Sequence, residues 1–125
     1  MRYLLGILLG LSSLSTAALA AGDVYTGNDI ANECRATKPG GFDGSPSRLS
    51  AWAYDAGSCM GFMKAARALV SGPAICVPKD VTNGQFQDVV VDYITQHPAT
   101  RHLSAAVLTA LAAREAFPCP AMQQP

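Results

Sequence analysis

Charge is scarce in this sequence and nowhere gathered. Nine Lys and Arg balance nine Asp and Glu among 125 residues, for a formal net charge of +0. Nucleic acid and anionic membrane surfaces both call for clustered Lys or Arg, so neither is an expected partner. The marks of catalysis are missing as well. There is no G-x-S-x-G elbow, no H-E-x-x-H, no phosphate loop and no dinucleotide fingerprint. No two of the four cysteines stand two to four residues apart, which disfavours a zinc knuckle, and no C-x-x-C-H offers haem attachment. The expectation is a protein that is not an enzyme and holds neither cofactor nor metal.

What is present begins with "MRYLLGILLGLSSLSTAALAAG". Arg2 supplies a positive start, Leu4 to Leu14 an apolar run, and Ala18-Leu19-Ala20 a small-x-small cleavage site. The run is too short to cross a bilayer of roughly 30 Å. Residues 1–20 therefore read as a secretory signal peptide, cleaved after Ala20 and leaving no membrane attachment. No cysteine lies near that site to carry a lipid. Residues 21–125 are then one domain with a single modest core.

Four helical segments can be read, and no convincing strand. Thr26 and Asp29 have the spacing of a capping pair and open a short first helix that runs through Ile30 and Cys34 to "KPGG". A Gly-, Pro- and Ser-rich loop follows, "KPGGFDGSPS". Ser45-Pro46 starts a long second helix to about Val70, with Gly72-Pro73 as its stop. Its main stripe is Leu49, Trp52, Ala53, Ala56, Cys59, Met60 and Met63. Its other side is not polar either: Ala51, Tyr54, Ser58, Ala65 and Leu69 line it with Phe62 beside them, so that side must be buried in the domain or covered by another subunit. Burial within the subunit is the first expectation. Thr82 and Gln85 form a capping box for the third helix, which aligns Phe86, Val89, Val90, Tyr93 and Ile94. His97-Pro98 ends it. The fourth runs from about Leu103 to Ala116, with Leu103, Val107 and Leu111 in line, and Pro118 closes it.

An even number of cysteines in a small exported chain reads as disulfides, here from Cys34, Cys59, Cys76 and Cys119. If helices two, three and four alternate in direction, the ends of the second and fourth share a pole. Cys76 and Cys119 lie just beyond those ends. Of the three possible pairings this favours Cys76 with Cys119, leaving Cys34 for Cys59. The fold expected is all-α, a small disulfide-stapled bundle of about four helices.

Other chemistry is thin. His97 and His102 bracket a turn but lack the helical register that brings metal ligands together. Asp88 and Asp92 stand at i and i+4 on the polar side of the third helix, where a solvated face is the default. Val91 points away from the apolar stripe and sits among Asp88, Asp92 and Thr95.

A resemblance can now be stated. The order T-G-N-D and a following cysteine, "CMGFMKAA" at 59–66, "CVPKDVTNGQFQDVVVDYITQHPATRHLSAAVLTAL" at 76–111 and "AFPCP" at 116–120 resembles the Rap/Tai family, small periplasmic immunity proteins of type VI secretion systems. The resemblance implies a disulfide-bonded helical protein, often a homodimer, that binds a secreted peptidoglycan amidase effector. Inhibition would be by occlusion, a helix and a protruding loop covering the amidase cleft.

The loops that face the effector are the family's variable parts, and the segment between Cys34 and Cys59 is longer here than the family's usual spacing. Contact is therefore expected from this chain's own pattern. The loop at Phe42 and Asp43, the polar side of helix three at Asp88, Val91 and Asp92, and the turn at Gln96, Arg101 and His102 are the candidates. The alternative is a small periplasmic stress or chaperone-like protein with no cognate toxin, although two histidines and nine acidic residues make a poor acid sensor.

Overall fold

The computed structural model describes residues 24–70 and 72–120. Residues 1–20, read as the signal peptide, lie outside them. Four α-helices follow one another: α1 (Gly27–Glu33), α2 (Leu49–Leu69), α3 (Asn83–Gln96) and α4 (Ala105–Ala116). Among the described residues, extended pairing is limited to isolated bridges, including Thr26 with Ser104 and Ile75 with Pro118. No helix there is long and apolar enough to cross a membrane.

Helix starts follow local chemistry. Thr26 caps α1 and Thr82 caps α3, each in a full capping box with Asp29 and Gln85 respectively. Such a box satisfies two of the backbone N–H groups that a helix start leaves without a partner. Ser45 does not cap α2. The chain instead makes a 3-10 turn over Pro46–Arg48 and widens into the α-helix at Leu49. Proline suits such a turn because its fixed φ is already helical.

The core gathers Ile30, Cys34, Cys59, Met63, Phe86, Val90, Ile94 and Leu108 with the small Ala105, Ala112 and Ala113. Phe117 stacks on Phe86 with ring centroids 6.5 Å apart. Alanines on the inner side of α4 admit close packing of its backbone. Gly27 does the same for α1: a Cβ there would run into Leu108 Cδ1 and lie 3.0 Å from the carbonyl oxygen of Arg101. Backbone bonds from Gly27 N to Leu103 O and from Ala105 N to Tyr25 O stitch the same seam, at 3.1 and 2.8 Å.

Two expected stripes fall elsewhere. In α4 the buried positions are Ala105, Leu108, Thr109, Ala112 and Ala113, while Leu103 precedes the helix and Val107 is exposed. Size misled the reading, because the face that packs is the one narrow enough for close approach. In α2 only Cys59 and Met63 are buried. Leu49 and Met60 face solvent, as do Tyr54 at 71% and Leu69 at 81% exposure, so of the second side only Ser58 and Phe62 are partly covered within the subunit, Phe62 against the core.

Both disulfides join as the helix order implied, Cys34 to Cys59 and Cys76 to Cys119. The first pins the end of α1 to the middle of α2 inside the core. The second ties the segment after α2 to the segment after α4, beside a bond from Cys76 N to Phe117 O at 2.9 Å. With partners 25 and 43 positions apart in sequence, loop closure gives about 3.5 and about 4 kcal/mol in the chain-entropy model. Those amounts are large beside the ~5–15 kcal/mol total of a small domain.

Candidate partner-binding surface

Between α1 and α2 the chain makes a 3-10 turn over Cys34–Thr37 and then the loop 38–45. Loops of this composition are mobile unless something holds them, and here several contacts do. Trp52 Nε1 on α2 donates to the carbonyl of Ala36 at 2.8 Å. Phe42 lies on the same indole, ring centroids 5.0 Å apart. Asp43 accepts from Ser45 N and from Arg48 Nη1, each at 2.9 Å. Gly41 folds back against the 3-10 turn, where a Cβ would come within 2.6 Å of the Ala36 carbonyl oxygen. Lys38 pairs with Asp88 and so ties the loop base to α3.

The candidates from the sequence divide accordingly. Phe42, Asp43 and Asp88 are linked through this loop: Phe42 is half-buried on Trp52, while Asp43 and Asp88 are exposed. Asp92 is exposed one turn further along α3. Val91 is half-buried and packs against the core, so it is not the isolated surface residue its neighbours suggested. The turn after α3 is a separate region. Arg101 Nε donates to Ile94 O at 2.9 Å and Nη2 to Thr95 O at 3.1 Å, closing the end of α3. A cation there satisfies bare helix carbonyls and complements the negative helix end. His97 stacks on Tyr93 at 4.1 Å, whereas Gln96 and His102 are exposed.

The N-terminal segment is anchored from the other side of the bundle. Tyr25 packs on Phe62 in a tilted arrangement, ring centroids 5.0 Å apart, and donates through its hydroxyl to Glu33 Oε2 at 2.6 Å. Burial, then the neighbouring Glu33 carboxylate, pushes the phenol well above its ordinary value, so it stays a donor.

Sequence reasoning missed a groove beside the loop. It lies between α2 and α3 with a volume of about 670 Å³, and Met60, Met63 and Gln87 line it. Spacing alone places Met60 on the inner stripe of α2, although its side chain is largely exposed. The signal available in the sequence is the pair of glycines on α2, Gly57 and Gly61, the second beside Met60.

The arrangement defines a small disulfide-stapled helical protein presenting a stiffened loop next to a helix. The chain belongs to the family described as Rap1a immunity proteins, whose model it matches over residues 26–119. That span takes in both disulfides, the loop and all four helices. No curated protein and no solved structure matches the chain.

Proposed function

We propose that this chain is a periplasmic immunity protein that binds a type VI secreted peptidoglycan amidase and blocks its cleft. The observation that carries the reading is the family match together with the way loop 38–45 is held. Occlusion asks nothing catalytic of the inhibitor. It asks for a surface already in its bound shape, because side chains and loops ordered on binding cost about 0.5–1.5 kcal/mol each. The indole of Trp52, the Asp43–Arg48 pair and the Lys38–Asp88 pair meet that cost in advance.

Contact in this reading falls to the loop at Phe42 and Asp43 and to Asp88 and Asp92 on α3, with Gln96 and His102 at its far edge. Arg101 and Val91 act from behind, one closing α3 and the other packing it. The protein reaches the periplasm by its signal peptide, cleaved after Ala20, and works as a homodimer. The uncovered apolar side of α2, with Tyr54, Ala65 and Leu69, supports the last point.

The test is a paired one. Purified protein is titrated with the amidase encoded beside it, and a strain lacking the gene is exposed to sibling attack. Tight binding and increased lysis are expected. No binding together with unchanged survival would sink the reading.

A further inference from the structure

The groove between α2 and α3 has a feature that the occlusion reading does not use. Gln87 lines it and is 8% exposed. Its amide nitrogen donates to Thr37 Oγ1 at 2.6 Å. Among the described residues nothing donates to its carbonyl oxygen, so a nearly buried side chain is fixed by one end and offers an acceptor at the other. Pro39, Met60 and Met63 supply apolar walls around it. Methionine is unbranched and polarisable, and it shapes itself to what it meets.

The glycine at the α3 end of the groove adds to this. A Cβ at Gly84 would meet only Thr82 Oγ1, at 3.9 Å, so packing within this chain does not require glycine there. Its effect is to leave the mouth of the groove open. At the rim Lys38 and Asp88 pair with one another, and Lys64 adds a single positive charge rather than a cluster.

We propose that this groove seats an extended segment of the protein partner, one that presents an apolar side chain with a main-chain N–H beside it. The apolar group lies against Met60 and Met63, and the N–H donates to Gln87. A main-chain donor suits the site because a buried acceptor left without a partner weakens a complex, while a matched one adds specificity. The partner is the amidase of the preceding section, and to that extent the inference rests on that reading. It adds a second point of attachment, beside the base of the loop.

Two variants test it from opposite walls, Gly84→Leu to fill the mouth and Met60→Glu to place a charge on the apolar side. Both positions are exposed, so the melting temperature should stay close to that of the wild type. Titration with the adjacent amidase should show each variant at least about tenfold weaker, as for the loss of an interface anchor. A partner-free arm uses N-acetyl-leucine methylamide and follows methyl and side-chain amide signals by NMR. Shifts at Met60, Met63 and Gln87 are expected in the wild type and not in Gly84→Leu. Equal affinity of all three proteins for the amidase overturns the groove and leaves the immunity reading standing. Absence of those shifts in the wild type also overturns it. If the wild type binds no amidase, the immunity reading fails and the NMR arm still decides whether the groove takes such a group. If the variants lose self-association rather than amidase affinity, the occupant is a second copy of the chain and the proposal is wrong.

Discussion

Trp52 reaches from α2 to donate its indole N–H to the backbone carbonyl of Ala36, so one side chain joins the long helix to the turn from which the loop springs. The same ring carries Phe42 on its face. Trp52→Phe keeps an aromatic under Phe42 but removes the donor together with the five-membered ring that bears it. It should lower stability by at least about 1 kcal/mol, the net worth of one such bond. Amide exchange should quicken at residues 36–43 and stay unchanged in α4. Uniform quickening across the bundle would mean that Trp52 serves the core and not the loop.

The two disulfides differ in where they lie. Cys34 and Cys59 are buried, whereas Cys76 is exposed and Cys119 half-buried. Thiol exchange needs access of the attacking thiolate to a sulfur. Under limiting reductant in native buffer, alkylation should mark Cys76 and Cys119 first. Cys34 and Cys59 should react only as the chain unfolds. Mass spectrometry of tryptic peptides reads the order, and simultaneous labelling of all four would contradict it.

The legible part of this fold was the local part. Thr26 with Asp29 and Thr82 with Gln85 announce their helices because both members of a capping box lie within one turn. The disulfide pairing followed from helix order alone. Faces were harder. Leu103, Val107 and Leu111 look like a core stripe by size, yet α4 packs through Ala105, Ala112 and Ala113, since what fits depends on how near the facing helix comes. The apolar outer side of α2 could not be placed from periodicity, which registers apolar residues but not what covers them. At the candidate surface, the loop and Asp88 were found by composition and polarity, while Gln87 was passed over because nothing in its neighbours signals a buried amide.

Thr109 is wholly buried in α4, and among the described residues its hydroxyl oxygen has no hydrogen-bond partner. Leaving a buried hydroxyl unmatched costs about 1–3 kcal/mol. Thr109→Val has nearly the same shape and removes the polar atom, so it should stabilise the protein by roughly 1 kcal/mol. Thermal denaturation checks the sign. A lower melting temperature would show that the hydroxyl has a partner after all.

Asp29 gives a prediction in pH. Hydrogen bonds from the Thr26 side chain, then from its backbone, hold the carboxyl below its ordinary value of 3.8. A carboxylate depressed in the folded state binds its proton more readily when unfolded, so its contribution is full above 3.8 and is lost as pH falls through the folded value. Asp29→Asn should therefore be less stable near neutral pH, by about 0.3–1 kcal/mol at this half-buried helix start. The difference should shrink in acid. Urea midpoints at pH 7 and pH 3 supply the comparison, and a gap that widened in acid would reverse the assignment.

The outer side of α2 carries the prediction about assembly. Tyr54, Gly61, Ala65 and Leu69 recur at intervals of seven, four and four, which places them on one helical face. Every one of them is exposed, and none is charged. Bulky residues stand towards the ends and small ones between, so a second copy crossing in the opposite sense could bring its bulk over the other's small centre. A helix of 21 residues extends about 31 Å, a useful part of the roughly 800 Å² per partner that stable pairs bury. Sedimentation should find a dimer in the wild type. Tyr54→Glu with Leu69→Glu should yield a monomer, because two charges would have to be buried without partners. Since both side chains already face solvent in one subunit, the monomer should remain folded, with its helical circular dichroism intact. A wild type that sediments as a monomer at every concentration would remove the dimer and leave this face without a partner in the isolated protein.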